Sequence, residues 1–162
     1  MIDGYLLDTN HVRYWFDNHP KVTDRLKQLP PGTPLRISVV TVGEMEYGHR
    51  VESPAGLTGV QSDFQKFVGT VLPVVISVTS STTPFYGEIR ARLFERFAPR
   101  KKRSGLRPEQ LVNPVTGQLL GIQENDVWLA AQAWERNLVL VTNDSMSHVS
   151  KVLAEIKIET WA

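Results

Sequence analysis

Leu138-Val139-Leu140-Val141-Thr142-Asn143-Asp144 is an unbroken apolar run that gives way to two polar residues and then an acid. Four apolar residues without alternation describe a strand covered on both faces, the signature of a parallel sheet between helices. Tyr5-Leu6-Leu7-Asp8-Thr9-Asn10 has the same shape, a short apolar strand ending at an acid.

Outward from these two strands, helical and strand patterns alternate. Val12, Tyr14, Trp15 and Phe16 predict a short helix closed before Pro20, and Val22 to Leu29 a second one stopped by Pro30-Pro31-Gly32. Leu35 to Val40, rich in β-branched residues, reads as the second strand. Thr41 to Arg50 follows as a helix, with Thr41 as N-cap and Glu44 at capping-box spacing. Phe64, Phe67 and Val68 mark the inner face of another helix, after a Gly- and Pro-bearing linker over 53–59. Leu72 to Val78 is the third strand, which Pro73 pushes toward a sheet edge. Thr83-Pro84 opens a long helix to about Phe97, with Phe85, Ile89, Leu93 and Phe97 on one stripe. Residues 99–124 are the least structured in pattern, and a connection that long is usually functional or mobile. Val127 to Trp134 makes the next helix, and a short helix and a strand over 157–160 finish the chain. Alternation of this kind implies a parallel sheet with helices on both faces, binding its ligand at the carboxyl ends of the strands.

The chain has 162 residues, enough for one domain with its own core. It has no cysteine, which excludes disulfides and thiolate metal sites. There is no basic, apolar leader and no run of the roughly 20 apolar residues that cross a bilayer, so a soluble cytoplasmic protein without membrane contact is expected. The formal net charge of +1 hides an asymmetry. Between Arg90 and Arg107 eight basic residues (Arg90, Arg92, Arg96, Arg100, Lys101, Lys102, Arg103, Arg107) stand against one acid, Glu95. The rest of the chain holds ten basic residues against sixteen acids. Such a block suits an acidic partner, nucleic acid first; a solvated loop or a protein-docking surface suits it as well.

Asp8 and Asp144 stand where apolar strands end, Glu44 in the first turn after the second strand, and Asp126 at the start of its helix. Taken singly, Asp126 is as well explained as a helix cap, Glu44 as half of a capping box and Asp144 as a turn residue. Taken together at one end of a sheet, they would repel, and a cation would have to neutralise them. Carboxylate oxygens favour Mg²⁺ or Mn²⁺. The four imidazoles (His11, His19, His49, His148) lack zinc spacing. No phosphate-cradling or dinucleotide glycine loop and no nucleophile elbow is present.

These residues resemble the PIN-domain ribonucleases, and among them the VapC-like toxins of toxin–antitoxin pairs. Leu6-Leu7-Asp8-Thr9-Asn10 is similar to the opening motif, Thr41 to Gly48 to the second with its acid at Glu44, Glu124 to Ala133 to the third with its acid at Asp126, and Leu140 to Asp144 to the fourth. The four occur in family order along nearly the whole chain. The resemblance implies a PIN-like three-layer α/β/α sandwich with a five-stranded parallel sheet, as a single domain over 1–162 with a basic loop insertion at about 99–124. It implies metal-dependent endonuclease action on RNA, leaving 5′-phosphate and 3′-hydroxyl ends, a small antitoxin partner and homodimerisation. Asp8, Asp126 and Asp144 would hold Mg²⁺ or Mn²⁺ with Glu44 completing the site. Two features depart from the pattern: many relatives carry a further acid just beyond the fourth motif, where this chain has Ser147 and His148, and the 99–124 connection is longer than usual.

Thr9, Asn10 and Thr142 either orient the acids or are ordinary turn and cap residues. The Arg90–Arg107 block supplies phosphate contacts on RNA or docks the antitoxin. The four tryptophans fit core packing better than base stacking. The competing function classes are a non-catalytic RNA- or antitoxin-binding module of the same fold and a DNA-directed nuclease.

Overall fold

The computed structural model describes residues 1–53, 55, 59–70, 74–98, 106–143 and 146–162. Five parallel strands, β1 (Tyr5–Leu7), β2 (Leu35–Ser38), β3 (Val74–Ile76), β4 (Val139–Val141) and β5 (Ile158–Glu159), form one sheet in the order β3-β2-β1-β4-β5. The helices are α1 (Thr9–Phe16), α2 (Pro20–Gln28), α3 (Val39–Glu52), α4 (Gly59–Thr70), α5 (Thr83–Phe97), α6 (Glu124–Glu135) and α7 (Ser147–Ser150). The fold class expected from the sequence is the one observed.

Period-two side-chain alternation divides the core into two layers. Leu6, Ile76 and Leu140 face a cluster built from α5, α6 and α7, in which Ile89, Leu93, Val127, Ala130 and Val149 are fully buried. Tyr5, Leu7, Ile37, Val139 and Val141 face the opposite cluster, with Val12, Val22, Met45 and Phe64 from α1 to α4. Leu7 pairs with Ile37 on one side and Val141 on the other, so the ends of β1, β2 and β4 lie level. The chain enters β1 through Gly4 at φ +139°, where an added Cβ would collide with the Pro34 carbonyl oxygen. That close approach lets Tyr5 N–H donate to Pro34 and start the β1–β2 pairing.

Three local expectations are corrected. The second strand ends at Ser38, not Val40: the Ser38 hydroxyl accepts from Val40 N–H and caps α3, so Thr41 lies inside the helix and is not its N-cap. The helix expected from Val127 begins at Glu124, which moves Asp126 from the threshold into the first turn. The third difference concerns 106–123, expected as open loop. A 3₁₀ turn over Pro108–Gln110 leads into a tight reversal, with Val112 bridging Leu119 and Leu120 N–H donating to Leu111. Leu111, Leu120 and Ile122 are buried in the α5–α6 cluster. Gly117 at φ +72° and the Asn113 side chain, which accepts from Val115 N–H, make the turn. Residues 99–105 lie outside the described residues. Among the described residues no helix is long and apolar enough to cross a membrane.

Candidate metal and nuclease site

Asp8 follows β1 directly and serves as the N-cap of α1, its Oδ1 accepting from His11 N–H at 2.8 Å. Thr142, at the same level after β4, donates its hydroxyl to Asp8 Oδ2 at 2.7 Å. A helix cap and a side chain from the adjacent strand thus fix one carboxylate at the point where the connections diverge from β1 and β4, the natural crevice of an open parallel sheet. Asp8 is only 6% exposed.

Glu44 reaches the same end of the sheet from the second turn of α3. The Thr9 hydroxyl donates to its Oε2, and Asn125 Nδ2 donates to its Oε1 at 2.7 Å. Glu44 is therefore tied to α1 and α6 rather than folded back into a capping box with Thr41. Asp126 Oδ2 accepts from Gln123 N–H at 2.8 Å, so the capping explanation of this acid holds for that oxygen. Burial pushes the Asp126 carboxyl up to about 6, and Asp8, Glu44 and Glu109 push it in the same direction. The charged groups that act most on Asp126 are thus all acids. Three of the four acids singled out from the sequence share one electrostatic field.

They do not form a closed cage. Among the described residues no three His, Asp or Glu side chains converge closely enough to hold a metal ion, and Asp144 lies outside those residues. The donor chemistry nevertheless fits a hard divalent ion. Mg²⁺ takes one or two carboxylates and fills its shell with waters and substrate phosphate, and acids held against mutual repulsion are the setting in which it does so. Asp8, Asp126 and Glu44 are the described residues that would hold it.

Of the three supporting residues expected, Thr9 and Thr142 each donate to one of the acids. Asn10 lines a cavity of about 150 Å³ together with Thr9, Arg13, Glu44 and His49. The basic residues are divided. Arg92, expected on an exposed face, is half-buried against Glu88 and Glu155, both at 2.8 Å, and its guanidinium lies over the Trp134 ring. Arg90 donates to Tyr86 Oη at 3.0 Å and to the Leu106 carbonyl at 2.9 Å. Arg96 donates to the Lys151 carbonyl, Arg107 is exposed, and Arg100, Lys101, Lys102 and Arg103 lie outside the described residues. The tryptophans pack on other rings, as expected: Trp15 on Phe67, Trp128 on Tyr86, Trp134 on Phe85 and Trp161 on Tyr5. Sequence reasoning missed Asn125 and His11. Asn125 adjoins Asp126, and His11 occupies the third position of α1, where an N-cap carboxylate receives its backbone bond; those placements were the available signals.

No family model matches the chain. The curated ribonuclease VapC2 of Haemophilus influenzae strain Rd is 26% identical over 159 residues, covering 97% of both chains. Among solved structures, VapBC2 from Rickettsia felis, bound to a DNA fragment from its promoter, superposes with a TM-score of 0.69 at 24% identity over 98% of both chains. DNA-bound VapBC from Salmonella typhimurium gives 0.64 at 24% identity over the full length of both, and VapBC-1 from nontypeable Haemophilus influenzae 0.64 at 23% over 97% of both. The structural likeness bears on the fold, and the sequence similarity to the curated ribonuclease runs along 97% of the chain.

Proposed function

We propose that this protein is a PIN-domain ribonuclease that hydrolyses RNA phosphodiester bonds with Mg²⁺ or Mn²⁺, and that it is the toxin of a toxin–antitoxin pair. The observation that carries the reading is the arrangement at the sheet's carboxyl end: Asp8 fixed by His11 and Thr142, Glu44 fixed by Thr9 and Asn125, and Asp126 under the field of both. The whole-length similarity to a curated ribonuclease supports RNA as the substrate. The solved toxin–antitoxin complexes of the same fold support a small antitoxin partner.

The chemistry a divalent ion supplies at such a site is stabilisation of charge on the phosphate and a lowered pKa of nearby water. The chain's own residues do the rest. Asp8 and Thr142, anchored on adjacent strands, keep one acid from moving as RNA arrives. Thr9 and Asn125 occupy both oxygens of Glu44 with donors, which aims that carboxylate and supports its charge. Asp126, whose Oδ2 accepts from Gln123 N–H, would hold the ion through its other oxygen. By the motif order Asp144 completes the set, and homodimerisation is part of the same reading.

The test is incubation of the purified protein with single-stranded RNA in Mg²⁺ or Mn²⁺, with EDTA and Asp8→Asn as controls. Cleavage that both controls abolish is expected. Cleavage that survives both would discard the metal mechanism. RNA left intact under all conditions would favour a binding module.

A further inference from the structure

The imidazole of His11 has no exposed surface, yet it sits one bond from the proposed metal site. A buried imidazole costs free energy unless both ring nitrogens find partners, and here both do. Trp161 N–H donates to Nε2 at 3.2 Å, and Nδ1 stands 2.8 Å from Asp8 Oδ1. A backbone N–H can only donate, so Nε2 must present its lone pair. In the neutral ring the hydrogen is then on Nδ1, and Nδ1–H donates to the carboxylate. The two contacts together leave one tautomer.

Donors to Asp8 then fall unequally on its two oxygens. Oδ1 accepts from both His11 N–H and His11 Nδ1–H, which occupies its two lone pairs. Oδ2 accepts only the Thr142 hydroxyl among the described residues, which leaves it one lone pair. From this geometry we infer that His11 is a positioning residue: as the Nδ1–H tautomer it saturates Oδ1 and turns Asp8 into a one-oxygen ligand that meets the cation through Oδ2. The inference rests on the metal-site reading of Asp8 given above.

The same bonds tie the end of the chain to the site. Trp161 packs on Tyr5 with ring centroids 5.2 Å apart, and its Nε1–H donates to Glu159 at 3.0 Å. The segment after β5 therefore holds the imidazole in register with Asp8, and sequence positions 150 residues apart meet through one ring.

Three full-length variants and one spectrum test the inference. His11→Asn keeps a donor nitrogen near the Nδ1 position; His11→Leu keeps bulk and removes the donor. Mn²⁺ affinity, measured by calorimetry without RNA, is expected to fall about 10–100-fold in His11→Leu, the usual cost of losing a partner behind a ligand. In His11→Asn, which retains one donor, it should recover to within about threefold of the parent protein. With RNA, the weakened affinity should appear as a loss of kcat at subsaturating Mn²⁺ that excess Mn²⁺ relieves, with KM for RNA unchanged. Long-range ¹H–¹⁵N correlation on the unmutated, metal-free protein should show the hydrogen on Nδ1 of His11, a readout that stands even if His11→Leu fails to fold. An Nε2–H tautomer, or parental Mn²⁺ affinity in His11→Leu, would overturn the positioning role. Asp8→Asn separates the two readings: if it binds Mn²⁺ as the parent does, the metal site itself is misassigned, whatever the His11 variants do.

Discussion

Asp126 carries a cost in its charged form. Its carboxyl, raised from 3.8 to about 6, is disfavoured in the charged form by burial first and by neighbouring acids second. Between those two pH values the folded protein holds a proton that the unfolded chain has released. Stability therefore falls as pH rises from about 4 to 6, and the full cost, at most about 3 kcal/mol for a shift of this size, remains above pH 6. Asp126→Asn removes the charge and keeps an oxygen for Gln123 N–H. In urea unfolding of the metal-free protein at pH 8, the variant should be about 1–3 kcal/mol more stable than the parent. Its stability should also decline less between pH 4 and 6, while RNA cleavage is abolished. A variant less stable than its parent at pH 8 would show that the acid is not held against its own charge. Asp8, Glu44 and Asp126 could be brought to one end of the sheet from the sequence because strand ends and helix starts announce themselves. Of their partners, Thr9 and Thr142 were legible in the same way, and His11 and Asn125 were not. His11 and Trp161 are 150 positions apart, and Asn125 meets Glu44 across 81. Local pattern places His11 and Asn125 beside acids but does not encode the long-range bonds to Trp161 and Glu44.

At the scale of elements, the buried strands and the long helix α5 were readable because apolar continuity and a 3.6-residue stripe are strong signals. The segment 106–123 was not. Its prolines and glycines, which suggest open loop, build a tight turn that returns Leu111, Leu120 and Ile122 to the core, and so short a bridge has no period to detect. The packing makes a quantitative claim. Ile122→Ala, at a side chain with no exposed surface, should cost about 2–5 kcal/mol in urea unfolding, whereas Leu119→Ser, on the same turn but 67% exposed, should change stability by less than about 0.5 kcal/mol. Equal, small effects at both would return the segment to the status of a surface loop. The boundary at Ser38 teaches a related lesson: Val39 and Val40 have strand propensity, but a serine that captures Val40 N–H starts the helix before them.

Across the whole molecule, the charge asymmetry raises the question of which basic residues serve a polyanion. Arg92 and Arg90 are committed within the fold, to Glu88 and Glu155 and to Tyr86 and Leu106 respectively. The proposal that the block holds RNA therefore falls on Arg100, Lys101, Lys102 and Arg103, together with exposed Arg107. The residues that the fold consumes should not affect phosphate binding, and the others should. Each phosphate neutralised on a single strand adds about 0.7 to the slope of log affinity against log salt. Replacing 100–103 with alanine should therefore lower that slope by about 0.7 for every phosphate no longer neutralised, in binding of single-stranded RNA to the cleavage-deficient Asp8→Asn protein. Arg92→Ala in the same background should leave the slope unchanged, because its guanidinium is spent on two carboxylates and an indole ring. A slope indifferent to both substitutions would remove the basic stretch from the RNA site. It would then count as a surface for the antitoxin, whose binding should weaken in the 100–103 variant and hold in Arg92→Ala.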